Sequence, residues 1–335
     1  MVIDAHAHIV MEEFVEEVRN GKYGAALYIE KGQKWDLLVT KNRVLGQERA
    51  FKTPLPRKTY DLDRRLKDMK AAGVDRQILS ILPACTYYAL DLGLSKKVAC
   101  AFNDQVADLA RKMPDRFSCL CTVPLQDPEA AVRELERAIQ LGHIGVEIGS
   151  NVAGKNLDDP ELDLFWGSVV SLDVPVFIHP VDVLGLEDRL KNYYLFNLIG
   201  TPLDTTIAAA SLIFGGVMER FPKLKVLLPH LGGFTPWIRG RWEHGYKEHQ
   251  ETKARGAKGS EIYINKFYYD TIIHQADCLE FALKTLDPGH ILFATDYPFA
   301  MGALGPAREI PGLARLSADQ QEKILSGNAR KLYRI

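Results

Sequence analysis

Val2-Ile3-Asp4-Ala5-His6-Ala7-His8 is a short apolar run that ends in two imidazoles spaced two residues apart. Side chains two apart on a strand share a face, so His6 and His8 point the same way. Three later runs follow the same plan: Val174-Pro175-Val176-Phe177-Ile178-His179, Val226-Leu227-Leu228-Pro229-His230 and Ile291-Leu292-Phe293-Ala294-Thr295-Asp296. Each member alone has an ordinary reading. His179 is equally a satisfied core histidine, His230 leads into a Leu231-Gly232-Gly233 turn, and Asp296 before Tyr297-Pro298 is equally a turn cap. Strand-like runs that repeatedly terminate in His or Asp are not what burial alone produces.

The chain has 335 residues, within the range of a single α/β barrel with insertions. Its content is 47% hydrophobic and 25% charged, the composition of a soluble globular protein with ample core material. A formal net charge of -1 removes any general electrostatic case for nucleic acid or an anionic membrane. No apolar run is long enough to span a bilayer, and no signal peptide precedes Asp4. Five cysteines without disulfide-like spacing suggest reduced thiols and a cytoplasmic location. Cys119 and Cys121, at period two in an apolar run, read as core packing.

Further apolar runs at Gln77–Pro83, Phe117–Pro124, Gly145–Asn151 and Phe267–Thr271 join those above, giving eight expected strands. Helical patterns lie between them. One runs from Asp61 with periodic Leu66, Met69 and Ala72 and stops at Gly73; another opens with Asp127-Pro128-Glu129. Alternating strands and helices with continuous apolar strands predict a (β/α)8 TIM-type barrel, built from residues 1–9 and 61–335. An open doubly wound sheet is the alternative, weakened because no Gly-rich loop follows the first strand. Residues 10–60 predict a small β-hairpin insertion after strand 1: Leu27-Tyr28-Ile29 and Trp35–Val39 flank Lys31-Gly32-Gln33-Lys34, and a second turn near Lys41-Asn42-Arg43 would add a third strand.

In such a barrel the carboxyl ends of the strands converge on one rim. Three imidazoles and a carboxylate there suit zinc or a similar divalent ion with a position left for water. Water so bound has a pKa near ~7, which makes hydroxide available at neutral pH.

Beyond these residues stand Thr201-Pro202-Leu203-Asp204-Thr205-Thr206, Gly215–Lys225, Gly240-Arg241-Trp242-Glu243-His244-Gly245 and Thr295-Asp296-Tyr297-Pro298-Phe299. Across nearly its whole length the chain resembles the amidohydrolase superfamily. More narrowly it is similar to the amidohydrolase-2 branch of 2-amino-3-carboxymuconate 6-semialdehyde decarboxylase and related aromatic acid decarboxylases. The resemblance implies one divalent metal, zinc by default with manganese as the alternative, held by His6, His8, His179 and Asp296. There is no Lys at the end of strand four to bridge a second ion. It implies His230 as general base, Asp296 as a catalytic acid, and a homodimer in which Arg241 reaches the neighbouring active site. The activity implied is non-oxidative decarboxylation of a small unsaturated or aromatic (hydroxy)carboxylic acid. Hydrolysis of an amide or lactone, or hydration of a double bond, uses the same groups, and a non-catalytic ligand sensor is the reading from a different class.

Two departures argue against the muconate semialdehyde as substrate. Leu45-Gly46-Gln47 stands where that decarboxylase has an arginine, with Arg43 and Arg49 nearby, and Glu147 replaces a neutral amide. Glu147 either faces the rim or faces the helices in a salt bridge. Trp35, Tyr193, Tyr194, Phe196 and Phe299 are placed to sandwich a planar ring, though ordinary packing explains any one of them. His274 and Asp182 are placed to touch substrate or orient another group. Trp237 and Trp242 flank Arg241 and read as interface residues.

Overall fold

The computed structural model describes residues 1–44, 47–186 and 188–335, and the side chains of all of these except 42–49. Arg43, Arg49 and Leu45-Gly46-Gln47 therefore lie outside the described side chains. The fold is mixed α/β with parallel sheets. The strands are β1 Ile3–Ile9, β2 Leu27–Glu30, β3 Asp36–Val44, β4 Gln47–Leu55, β5 Arg76–Ile81, β6 Phe117–Cys119, β7 Cys121–Thr122, β8 Val146–Gly149, β9 Val176–His179, β10 Val226–Leu228, β11 Tyr268–Asp270 and β12 Ile291–Leu292. One parallel sheet has the order β1-β5-β6; a second runs β12-β11-β10-β9-β8-β7.

Each apolar run of the sequence holds a parallel strand, with different ends. The run Phe117–Pro124 is divided at Leu120, because its first half pairs with β5 and its second with β8. Leu120 N–H donates to Leu79 O and Ile144 N–H to Cys119 O, so this one stretch serves both sheets. The β10 ladder stops before Pro229, which has no N–H to give. β12 is short because the N–H groups of Ala294 and Thr295 donate to side chains, Thr271 Oγ1 and Asp4 Oδ1.

The helices start and stop where the local chemistry dictates. Asp61 accepts from Arg64 N–H and Gly73 closes the helix Leu62–Ala72 at φ 67°. Asp127 accepts from Ala130 N–H, with Pro128 at the first helical position of Pro128–Gln140. Between β1 and residue 60 the sequence predicted a hairpin with a third strand after a second turn, but the structure also has a helix, Glu12–Arg19, which buries Phe14, Val15 and Val18. β2, β3 and β4 form an antiparallel sheet in which β3 runs on to Val44, past the turn expected at Lys41-Asn42-Arg43. Leu27, Leu38 and Leu55 from this sheet pack into the main hydrophobic core.

A smaller cluster of Ile3, Ala5, Ile78, Leu120, Phe177, Leu227, Tyr268 and Leu292 lines the inner face of the parallel strands, and Leu332 and Tyr333 of the last helix close it. Ile3 and Ala5 face inward, and strict alternation would put Ala7 inward next. Instead a bulge between Asp4 and Ala7 sets three steps of β1 against two of β5. That one extra residue turns His6 and His8 to the inner face and sends Ala7 and Ile9 to the outer core.

A buried polar network holds the bulged strand. Asp4 accepts from Gln77 Nε2 at 2.9 Å, from Thr295 N–H at 2.9 Å and from Thr295 Oγ1 at 2.6 Å. Burial pushes the Asp4 carboxyl up to about 6, although the bonds from Thr295 and Gln77 pull it down. Arg65, fully buried, donates to Gln77 Oε1 at 3.0 Å and to the His8 carbonyl at 2.5 Å, and its guanidinium lies 4.6 Å from the Tyr297 ring centre. Replacing it by Met keeps most of the volume and leaves both acceptors unpaired. Arg65→Met should lower stability by roughly 3 kcal/mol, read as a shift in the urea unfolding midpoint; an unchanged midpoint would show that the network contributes nothing.

Candidate metal centre

Four backbone positions bring the polar groups together. His6 and His8 come from the bulged β1, and His179 is the last residue of β9. His230 and Asp296 lie just past β10 and β12, at φ 53° and 57°. Side-chain-bearing residues rarely occupy this left-handed region, and such strain concentrates at functional sites. The turn His230-Leu231-Gly232-Gly233 is made possible by its glycines. A Cβ on Gly233 would sit 2.1 Å from Pro202 O, and one on Gly232 would sit 2.6 Å from the Tyr269 ring. The Gly pair thus serves a tight turn against the Thr201–Thr206 segment, where Thr206 Oγ1 accepts from Phe234 N–H at 2.8 Å.

The tautomers of three imidazoles follow from their partners. His6 Nδ1 faces the Asp270 carboxylate at 2.8 Å, His8 Nδ1 faces Ile81 O at 2.8 Å, and His179 Nδ1 faces Pro180 O at 3.1 Å. A carbonyl or carboxylate oxygen only accepts, so each Nδ1 carries a proton, and each Nε2 presents a lone pair whenever its ring is neutral. The Nε2 atoms of His6 and His8 lie 2.8 Å apart. Asp296 Oδ1 lies 3.3 Å from the first and 3.5 Å from the second. His179 Nε2 and Asp296 Oδ1 are buried without a hydrogen-bond partner. His6, His179, His230 and Asp296 can each offer a ligand atom with all four atoms within 4.8 Å of one another. His230 Nε2 is 3.6 Å from Asp296 Oδ2, on the side of the carboxylate away from the closest His6 and His8 contacts.

The electrostatics express the same demand for positive charge. Burial opposes an imidazolium at His6, but the Asp296 carboxylate, then Asp270, outweigh it and raise the pKa to about 10. Burial and the neighbouring His6 take His8 down to about 4 despite Asp296, and burial with His8 and His6 takes His179 well below the usual range. Asp296, although buried, is held well below the usual carboxylate range by His6 and His230.

Other expected residues divide. Glu147 faces inward: Oε2 is 3.6 Å from His8 Nδ1, and burial pushes its carboxyl up to about 8. The helix-facing salt bridge is thereby excluded. Phe299 packs edge-on to His8 with centroids 5.5 Å apart. Tyr194 is half exposed, stacks edge-on to Phe196, and has its hydroxyl pKa raised by burial and by the field of Asp296. Trp35 is exposed under Lys34, and His274 is exposed just beyond β11; neither has a recorded contact with the cluster. Arg241 is exposed on the helix Thr235–Glu248 and makes no ion pair among the described residues. Trp237 is exposed and stacks on Phe281, and Trp242, partly buried, packs against Phe214 at the margin of the core. Sequence reasoning passed over Asp270 and Arg65. The Asp following Tyr268-Tyr269 at a strand end was the available signal for the first, and Arg65 looked like one more helix charge.

A sequence model of the amidohydrolase family matches residues 3–335. The chain belongs to the amidohydrolase family. This amidohydrolase is 33% identical over 329 residues to a 2-amino-3-carboxymuconate-6-semialdehyde decarboxylase of Dictyostelium discoideum, covering 98% of this chain and 90% of that protein. It is similar to the crystal structure of a 2,6-dihydroxybenzoate decarboxylase in complex with 2,6-dihydroxybenzoate, with TM-score 0.80 and 26% identity over 100% of this chain and 99% of the other. A dihydroxybenzoic acid decarboxylase from Polaromonas sp. JS666, solved with bound manganese, has TM-score 0.78 and 24% identity over 99% of this chain and 96% of that one.

The family and the His/Asp cluster together support a divalent metal in this amidohydrolase. The donor set fits one: converging lone pairs, orphaned buried atoms and fixed Nδ1 protons are what an ion requires. Metal must displace the proton that His6, with its pKa near 10, holds at neutral pH. Uptake of zinc or manganese by metal-free protein at pH 7.5 should therefore release about one proton, read by calorimetry in buffers of different ionisation enthalpy. Apparent affinity should climb as pH rises from 7 toward 10, by up to about tenfold per unit. Uptake without proton release would contradict the assignment of that proton.

Proposed function

We propose that this amidohydrolase is a metal-dependent carboxy-lyase acting on a small unsaturated or aromatic (hydroxy)carboxylic acid. The observation that carries the reading is an intact donor set with an adjacent His230–Asp296 pair in a chain whose end-to-end relatives include decarboxylases. We take His6, His8, His179 and Asp296 as the ligands of one ion, zinc or manganese, and His230 as the base beside it. Two sheets read as halves of a closed (β/α)8 barrel: Ala5 N–H donates to Phe293 O at 2.9 Å, Asp296 N–H to His6 O at 2.8 Å, and His8 N–H to Tyr297 O at 2.7 Å. Residues 10–60 read as an insertion over one mouth of that barrel.

A divalent ion held by these residues would supply Lewis acidity for the negative charge that develops on the substrate. The protein's groups do the rest. Loss of carbon dioxide leaves a carbon that must gain a proton. His230 Nε2 lies 3.6 Å from Asp296 Oδ2, so a proton that His230 takes up as base can pass through that pair to the carbon from which carbon dioxide has left. Phe299, edge-on to His8, and Tyr194, whose hydroxyl feels the field of Asp296, would flank a planar ring, whereas exposed Trp35 and His274 would have to turn toward it to make contact. Leu184, Tyr193, Leu198 and Ile199 are exposed apolar residues available to a homodimer contact, and Arg241, without an ion pair among the described residues, would supply a cation for the carboxylate bound in the neighbouring subunit.

The competing reading is hydrolysis of an amide or lactone, or hydration of a double bond. Carbon dioxide release from ortho-hydroxy aromatic acids and carboxymuconate-type acids, measured on a sample of known metal content, separates the two; turnover of an amide or lactone without carbon dioxide would overturn the proposal. His230→Ala should cut kcat roughly 10²–10⁴-fold while metal content stays at the parent level, and loss of metal would make His230 a ligand instead. Arg241→Ala should raise KM, and mixing it with His230→Ala subunits should restore activity. No recovery on subunit exchange would place Arg241 outside the neighbouring site.

A further inference from the structure

β11 ends in Asp270, whose fully buried carboxylate is shared between two parts of the site. Oδ2 accepts from His6 Nδ1–H at 2.8 Å. Oδ1 accepts from the N–H of Leu231 at 3.1 Å and from that of Ile272 at 3.1 Å. Leu231 directly follows His230, and both sit at φ 53°. One rigid group thus touches the imidazole of a metal-facing residue and the strained backbone that aims the neighbouring histidine. We infer that Asp270 is a positioning residue that locks His6 as an Nε2 donor and at the same time pins the turn carrying His230. The inference rests on the reading of His6 as a ligand and His230 as the base.

The pattern of partners sets this residue apart. His8 and His179 lean on neutral carbonyls, Ile81 O and Pro180 O, and only His6 donates to a carboxylate. A carboxylate makes the imidazole a more basic donor than a carbonyl does, and it fixes the tautomer more firmly. Both oxygens face N–H donors, Oδ2 the His6 ring and Oδ1 the amides of Leu231 and Ile272, so the carboxylate acts as an acceptor on each side. The backbone arm is equally demanding, because a left-handed Leu has no intrinsic preference for its conformation and needs an external acceptor to keep it.

An amide of the same shape separates the two arms. In Asp270→Asn, Oδ1 still accepts from Leu231 and Ile272, while the –NH2 group faces His6 Nδ1–H as donor against donor. His6 must then move its proton to Nε2, the atom that faces the metal. Three measurements on the full-length protein test this: equilibrium dialysis with zinc and with manganese, ¹⁵N NMR of the His6 ring in the metal-free protein at a pH high enough for that ring to be neutral, and hydrogen exchange at Leu231. We expect metal affinity to fall roughly 10–100-fold, the His6 ring to switch to the Nε2–H form, and Leu231 to stay protected. At saturating metal kcat should recover, whereas Asp270→Ala, which frees the turn as well, should stay low in kcat. Unchanged affinity and tautomer in Asp270→Asn would overturn the His6 arm. Full kcat in Asp270→Ala, or loss of Leu231 protection in Asp270→Asn, would overturn the turn arm. The affinity, NMR and exchange readouts need no substrate, so an inactive parent would refute the decarboxylase reading without touching this one.

Discussion

Two imidazole nitrogens held 2.8 Å apart, each with its opposite ring nitrogen already donating to a fixed oxygen, repel one another unless a cation shares their lone pairs. The rest of the structure follows from keeping that arrangement in place. Asp296 adds negative charge on the same spot, and His179 aims a third lone pair toward it. Without an ion, a single proton at His6 relieves the conflict, which is why its basicity rises while that of its neighbours falls. The centre is therefore preorganised for positive charge, and the surrounding protein resists the repulsion that would otherwise spread the strands.

That resistance comes from a ring of buried polar groups behind the donors. Asp4 ties the bulged strand to Thr295, beside Asp296, and Arg65 reaches over to the carbonyl of His8. Burying such groups costs stability, and Asp4 shows it in a raised pKa. The compensation is geometric: donors on different strands keep their spacing because their supporting shell is itself hydrogen-bonded.

Much of this was legible in the sequence, for definite physical reasons. Apolar runs ending in His or Asp identify strand ends, because a buried strand must be apolar and its exit need not be. The run containing His179 was read correctly on that basis, whereas the strand before Asp296 ends four residues earlier, at Leu292. The bulge in β1 was not legible: His6 and His8 share a face in any register, but that this face is also the one of Ile3 and Ala5 depends on one unpaired residue with no composition signal. The helix Glu12–Arg19 was overlooked although Phe14, Val15 and Val18 have helical spacing, because its charged neighbours masked a pattern of barely two turns. Asp270 and Arg65 were missed for another reason. Their importance lies in partners dozens or hundreds of residues away, which only tertiary structure brings together. The orientation of Glu147 likewise needed the register Glu147–Phe177 to place it on the inner face.

The metal centre joins residues from distant parts of the chain: Asp4 and Thr295, which meet behind it, are separated by 291 positions. During synthesis the first strand, with His6 and His8, must wait for nearly the whole polypeptide before Asp296 exists to complete the set. A partly made chain carries the paired imidazoles without the carboxylate, and so without the charge that draws an ion in. With the proposed ligand set, metal capture is a late event that reports completion of the fold, and an ion held across β1 and the segment after β12 would act as a clasp between the two ends of the architecture.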